Sequence, residues 1–566
     1  MKFSLIIIFV FIVIDSLHPQ WRGDTSPSYP EIISYLKKID KEHREIKLFN
    51  MGPSDYGLPI YLLIVNAHSD SIKTFQKARN ETTILINNAI HPGEPDGINA
   101  SLIWLDDWIK QGKPCAGHPV VAIIPAYNIG GMMQRSSTSR VNQNGPEEYG
   151  FRGNARNLDL NRDFIKMDSY NACTFSKIFH AIDPDIFIDN HVSNGADYQY
   201  TLTYISSLRE RLAPSMNDLT YKVCIPELEI ELGKRNIDFF PYVELKGETP
   251  ESGIIAFNDL PRYAMGYASL FHSLSFTVET HMLKPFKERV QVNLDFIDLL
   301  VKWAMTRSNE IEKSRKAAFE WSNSQEVFLY NHIITEENDS LLFKGFEYSK
   351  PIDLNTNLPR LYYDRSKPYK KYIPYFRKYK PMSSFNIPRY FVVAAQEKES
   401  ICRMKANNIY YYTLKSDSLI EANSYRINSY NSITKPYEGH FKHNTVLFDK
   451  FRVNLLLKAG DIIIPTMQRG RNFILSALIP DAEDSFFSWN FYDSYLQQKE
   501  YFSSYVFIDQ IQFILDSNPT LKQEFDEMKK ENESFRNSEW DQLYFIYKNS
   551  PYFEKSFMVL PIYSID

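Results

Sequence analysis

Along the N-terminal half of the chain, short unbroken apolar runs alternate with stretches in which apolar residues recur every three or four positions. Ile84–Ile90, Val120–Ile124, Ile186–Ile188 and the run Leu274, Phe276, Val278 read as strands buried on both faces. Between them, Ile98, Leu102, Leu105 and Ile109 share one helical face after Pro95, and Phe175, Ile178 and Phe179 mark another helix. Ahead of these lie a helix over Ile32–Lys41 and two short strands, Ile46–Phe49 and Tyr61–Val65, around the turn residues Gly52-Pro53-Ser54-Asp55, which predict an antiparallel sheet edge. Such alternation predicts an α/β fold, a mixed and mostly parallel sheet covered by helices, with ligands at the carboxyl ends of its strands.

The pattern then changes. Helix is expected over Val290–Met305 and Lys313–Glu337, followed by a linker over 331–388 in which Pro359–Pro381 interleaves Arg and Lys with Tyr and Phe. Short strands (Phe391–Val393, Tyr410–Tyr412, Thr445–Leu447, Ile462–Ile464) predict a smaller β-rich C-terminal region. Helices are expected to follow at Asp484–Gln498, Tyr505–Leu515 and Leu521–Arg536. The expected organisation is 1–17 a signal peptide, 18–330 the catalytic domain, 331–388 the linker and 389–566 the C-terminal region.

Composition narrows the class. The 566 residues, 43% hydrophobic, are ample for full cores without disulfide staples. The charge is nearly balanced, with 64 basic and 69 acidic residues, so nothing in the whole chain argues for nucleic acid or an anionic membrane as partner. Cys115, Cys173, Cys224 and Cys402 form no C-x-x-C pair, which excludes a zinc ribbon. Lys2 precedes a 12-residue apolar run, Phe3–Ile14, broken only by Ser4. As a helix it would cover about 18 Å against a hydrocarbon core of about 30 Å. It reads as a secretory signal cleaved near Ser16, with an uncleaved anchor as the alternative, and the mature chain is expected outside the cytoplasm (secreted or periplasmic) without a membrane span.

Candidate chemistry gathers at the ends of the predicted strands. Ile84–Ile90 runs into His91, and the next turn brings Glu94, an imidazole and a carboxylate three positions apart that can close on one metal ion. Ile186–Ile188 runs into Asp189-Asn190-His191, and a further strand delivers Glu279. Two nitrogens and one carboxylate leave a fourth zinc position open, the arrangement of a catalytic site. Between Gly130 and Leu158 the chain has no apolar periodicity, and this long polar loop leads into Asn161-Arg162. His440 and His443 have no companion ligands at suitable spacing and read as structural.

In these motifs the chain resembles the M14 family of zinc carboxypeptidases over roughly residues 30–310. The family's His-x-x-Glu and later His correspond to His91, Glu94 and His191. Its Arg-x-Asn-Ala-x-Gly-x-Asp-Leu-Asn-Arg motif is matched from Arg152 to Asn161-Arg162, one residue out of step at its Asn. Its catalytic strand is matched by Ser275-Phe-Thr-Val-Glu279-Thr. The family's Asn-Pro-Asp-Gly turn reads Asn128-Ile129-Gly130-Gly131 here. The resemblance implies one Zn2+ per chain on His91, Glu94 and His191, Glu279 as general base, and Arg152 on the oxyanion, with Arg140 and Arg156 as alternatives. It also implies Asn161 and Arg162 on a substrate carboxylate, with Tyr263 or Tyr267 as the family's mobile tyrosine.

The implied activity is zinc-dependent hydrolysis of a peptide, or of a cell-wall (peptidoglycan) stem peptide, at the amide beside a free carboxylate. A deacylase of N-acyl amino acids is the nearest alternative. A non-catalytic binding protein on the same fold is the other class, which has no use for a general base at Glu279.

Overall fold

The computed structural model describes residues 20–112 and 117–566, so the expected signal segment and Cys115 lie outside the described residues. They divide into two compact units. The first holds the chain to Ile387 with Cys402–Tyr410 and Pro465–Asp484, and the second holds Pro388–Ile401, Tyr411–Ile464 and Ser485–Asp566. No helix among the described residues is long and apolar enough to cross a membrane.

The first unit is built on an eight-stranded mixed sheet: β1 (Ile46–Pro53), β2 (Pro59–Val65), β3 (Thr83–Asn87), β4 (Val120–Ile124), β5 (Ile186–Ser193), β6 (Leu202–Ser206), β7 (Phe239–Pro241) and β8 (Leu274–His281). The spatial order is β1-β2-β4-β3-β5-β8-β6-β7. The four central strands, β4, β3, β5 and β8, run parallel, and antiparallel pairings flank them at β4–β2 and β8–β6. Every residue of β3, β4 and β5 is buried, which is why these strands read as unbroken apolar runs instead of alternating ones. β1 and β2 form the antiparallel edge that the turn residues between them predicted.

Helices pack on this sheet. Asp96–Gln111 lies against Phe286–Ser324 and against β5, while Tyr170–Ile182 packs on β1 and β2. The start of Asp96–Gln111 approaches β5 so closely that a Cβ on Gly97 would lie 2.3 Å from the Asn190 Cβ. Glycine there lets the turn after Glu94 press onto the strand that carries His191.

Several expectations need correction. Val290–Met305 and the start of the next predicted helix form one continuous helix of 39 residues, Phe286–Ser324, and Val327–Ile334 is strand, not helix. The long polar loop contains a helical turn, Ile129–Met133, whose Asn128 side chain accepts from the Gly131 N–H. The expected linker, 331–388, is also mostly strand. Asp339–Ser349 pairs with Tyr362–Phe376, and Val327–Ile334 with Tyr379–Asn386. Tyr369 and Ile373 bury on Tyr198, Tyr200 and Phe240 while the intervening lysines stay exposed, so the basic–aromatic interleaving is a strand with one buried face. Its prolines are tolerated because the strand's second edge is paired only at Tyr375 and Phe376.

The second unit has a six-stranded sheet and a helical cluster over Ser504–Ser517, Pro519–Glu531, Glu533–Arg536 and Glu539–Lys548. The helix expected over Asp484–Gln498 is absent apart from the short turn Asp493–Leu496. Phe486, Phe487, Trp489 and Tyr492 bury in all directions, and the Ser485 Oγ takes the Ser488 N–H, a local bond that competes with helix.

Candidate metal centre and substrate cavity

Three carboxyl-end positions build the centre. Just beyond β3, Ala89 adopts a left-handed φ of 60° and the chain turns to present His91. A residue with a Cβ is disfavoured there by roughly 1–2 kcal/mol, a strain that the buried surroundings hold in place. The Glu94 N–H donates to the His91 carbonyl at 2.8 Å, closing the turn that sets imidazole and carboxylate together. In the parallel register of β5 and β8, Glu279 is the direct neighbour of His191, so both side chains leave the same face.

His91 Nδ1 lies 3.2 Å from His191 Nδ1 and 3.3 Å from Glu94 Oε1, and His191 Nδ1 lies 3.1 Å from Glu94 Oε2. The other ring nitrogens are engaged. His91 Nε2 meets Asp159 Oδ1 at 2.8 Å and His191 Nε2 meets Asp189 Oδ2 at 2.8 Å. A carboxylate oxygen can only accept, so each Nε2 carries a proton; against burial, Asp189 and Glu94 hold His191 above the usual histidine range, and when both rings are neutral each Nδ1 turns its lone pair inward. Two imidazole lone pairs and a carboxylate aimed at one point repel one another unless a cation lies between them. Such a donor set, with each imidazole braced by an outer carboxylate, fits zinc. Among the described residues, His91, Glu94 and His191 are the one such group able to hold a metal ion.

The surrounding charges support that arrangement. Burial works against the Glu94 carboxyl, but Arg140 and His91 outweigh it and hold the group well below the usual carboxylate range. Burial likewise opposes Asp159, and His91, Arg152 and Arg162 keep it ionised. Glu279 faces the cavity in part. Desolvation pushes it up to about 8 against the pull of His191, and the Glu94 charge adds to the rise.

A cavity of about 450 Å³ opens over the cluster and brings together Glu279, Arg152, Asn161, Arg162 and Tyr263. Arg152 reaches Glu94 at 3.4 Å and Asp159 at 2.9 Å, while Arg140 contacts Glu94 and donates to the Val192 carbonyl at 2.9 Å. Arg156 instead donates to the Asp168 carbonyl. The Asn161 Oδ1 accepts from the Ala264 N–H at 3.0 Å, tying it to the segment that carries Tyr263, and the Arg162 guanidinium lies 4.6 Å from the Tyr263 ring centroid. Tyr267 is fully buried, its hydroxyl bonded to Asn407, so of the two tyrosines it is Tyr263 that lines the cavity. His443 is held between Ser432 and Asp493 in the second unit.

Sequence reading passed over Asp159 and Asp189 as braces of the histidines. Asp159 sits inside the Arg152–Arg162 motif, and Asp189 is two residues before His191 on the same strand face, a spacing that signals a partner. Tyr242 and Phe257, which also line the cavity, carry no such signal.

No family model and no curated protein matches the chain. Similar solved structures include a metallo-carboxypeptidase from Burkholderia cenocepacia (17% identity, 50% of this chain and 70% of that one, TM-score 0.36). Carboxypeptidase A from Helicoverpa armigera is also similar (16%, 52% and 75%, TM-score 0.36), as is bovine thrombin-activatable fibrinolysis inhibitor (15%, 52% and 99%, TM-score 0.37). Each likeness covers about half of this chain, and at such scores it says nothing about activity.

Proposed function

We propose that the chain is a secreted zinc-dependent carboxypeptidase that hydrolyses the amide bond beside a free carboxylate in a peptide or a cell-wall stem peptide. One observation carries this reading: the inward-facing donors of His91, Glu94 and His191 share a cavity with an unligated carboxylate, Glu279, and with Asn161 and Arg162. A binding protein has no use for a partly desolvated base beside such a cluster.

Zinc on His91, Glu94 and His191 would supply a Lewis acid that polarises the scissile carbonyl and acidifies the attacking water. Asp159 and Asp189 hold the two imidazoles in the tautomer that binding requires. Glu279 takes the proton of the attacking water and hands it to the leaving nitrogen. Arg152, half-exposed at the cavity mouth, offers its guanidinium to the oxyanion. Arg162, backed by the Tyr263 ring and flanked by Asn161, holds the substrate's carboxylate in a planar fork.

The test is metal content by mass spectrometry together with hydrolysis of a peptide library, with and without a chelator. One zinc per chain and chelator-sensitive release of C-terminal residues are expected. Metal-free protein that binds no added zinc would remove the basis of the proposal.

A further inference from the structure

The substrate cavity shares part of its wall with another recess. Ile205, Tyr242 and Phe257 line the cavity and also line this recess, a groove of about 640 Å³, within the size range of small-molecule sites. Its walls are largely rings held by their neighbours: Tyr204 stacks on Phe239 at 4.1 Å and Tyr200 on Phe240 at 4.0 Å. Phe257 also packs on Tyr263 at 5.0 Å, and Tyr263 in turn underlies Arg162. The wall shared with the groove therefore lies on the side of the carboxylate clamp.

Three cations line this groove, and two are neutralised. Arg377 pairs with Asp339 at 2.5 Å and Lys344 with Asp238 at 2.6 Å. Arg209 makes no ion pair among the described residues. Its guanidinium lies 3.7 Å from the centroid of the Tyr221 ring, whose hydroxyl is fixed by the Ser206 hydroxyl and the Ser207 carbonyl. A planar cation stacked on an anchored ring is already oriented, so little freedom is lost when it binds an anion. The lining's other unpaired charge, Glu229, is exposed at the rim, where water screens it. Arg209 follows Ile205 by four residues, a chain reach of at most about 14 Å from the shared wall.

We propose that this groove receives the side chain of the leaving residue and that Arg209 selects one ending in a carboxylate, of glutamate length or longer. The carboxylate accepts from the guanidinium while the tyrosine and phenylalanine walls exclude water around the pair. This specificity rests on the carboxypeptidase reading above.

The experiment compares two peptides identical but for a C-terminal Glu or Gln, on the zinc-loaded wild type, Arg209→Gln and Arg209→Lys. The wild type is expected to favour Glu over Gln by at least tenfold in kcat/KM. The ratio should fall to near one in Arg209→Gln and be partly restored in Arg209→Lys. Calorimetric binding of the same peptides to Glu279→Gln protein, with and without Arg209→Gln, reads the same preference without turnover. Cleavage of both peptides by wild type with no preference, or a preference that survives Arg209→Gln, overturns the subsite and leaves the peptidase reading standing. Discrimination in binding that depends on Arg209, with no cleavage of either peptide, supports the subsite and overturns the peptidase reading. Neither cleavage nor discrimination overturns both.

Discussion

Asp96 and Arg289 form a fully buried pair, Nε to Oδ2 at 2.8 Å and Nη2 to Oδ1 at 3.2 Å, at the point where the helix after the metal turn meets the long helix Phe286–Ser324. The Thr280 hydroxyl donates to the same Asp96 oxygen at 2.5 Å, so the pair also ties down the strand that carries Glu279. Arg289 gives further hydrogen bonds to the carbonyls of Asn144, Gly145 and Lys284. Truncating one side leaves the other charge buried and unpaired. Arg289→Met should therefore lower unfolding stability by roughly 3–5 kcal/mol, measured by urea denaturation. A loss under about 1 kcal/mol would show that the pair is dispensable.

The braces behind the histidines make a second prediction. His191→Ala should lose stoichiometric zinc while remaining folded by circular dichroism. Asp189→Asn leaves all three ligands in place but weakens the acceptor that fixes the His191 tautomer at 2.8 Å. It should bind zinc about 10–100-fold more weakly in a competition titration with a chelating dye. Unchanged affinity in Asp189→Asn would mean that the brace does not tune the metal.

The strands that carry the centre were legible because burial on both faces leaves a continuous apolar signature, and because His91, His191 and Glu279 all follow or close such runs. The hairpin Asp339–Phe376 was not, since its prolines and lysines imitate a linker until a partner strand supplies the buried face. Nor could sequence choose between Tyr263 and Tyr267. They stand one helical turn apart, and only the fold turns one into the cavity and the other into the core. Of the three arginines considered, Arg140 and Arg152 line the cavity, while Arg156 lies outside its lining and donates to the Asp168 carbonyl, a contact no spacing rule foretells.

Part of the acid sensitivity is expected from His272, which is buried with a pKa lowered to about 3 by desolvation, with Arg315 and Arg469 adding to the shift; His180, His281 and His332 are lowered in the same direction. The folded chain holds it neutral, whereas the unfolded chain protonates it near pH 6.5. The folded state thus binds fewer protons. The stability linked to this residue is complete above about pH 6.5 and is lost as the pH falls towards 3, by about 2 kcal/mol at pH 5. His272→Asn removes the titration and suits the left-handed φ of 58°. The drop in melting temperature between pH 7 and pH 5 should be smaller in the variant by about 2 °C. An equal drop would assign the acid sensitivity to other groups.

In the proposed mechanism Glu279 separates binding from chemistry. It ligates nothing in the cluster, so Glu279→Gln should keep zinc and substrate affinity but lower turnover by at least about a hundredfold, the scale expected for loss of a general base. Stopped-flow turnover beside equilibrium binding checks both halves. Turnover within a few-fold of wild type would assign the base elsewhere.

On the carboxypeptidase reading, the end of the substrate that is read depends on Arg162. Its guanidinium stacks on Tyr263, donates to the Asn161 carbonyl at 2.8 Å and stands 3.9 Å from Asp159 Oδ2, too far for a close ion pair. A surface pairing with Asp159 alone would be worth about 0–1 kcal/mol, and its loss would hardly alter catalysis. A desolvated pair with a substrate carboxylate is a different matter, since truncating one partner costs about 2–5 kcal/mol. At 1.36 kcal/mol per tenfold, that is roughly 30-fold to several thousandfold in catalytic efficiency. The two cases separate when a peptide and its C-terminally amidated twin are each offered to wild type and to Arg162→Ala. Wild type should strongly prefer the free acid, and the variant should lose most of that preference by slowing on the acid more than on the amide. Equal cleavage of the two peptides by wild type would show that the enzyme does not read a terminal carboxylate, and the clamp of Asn161, Arg162 and Tyr263 would need another ligand.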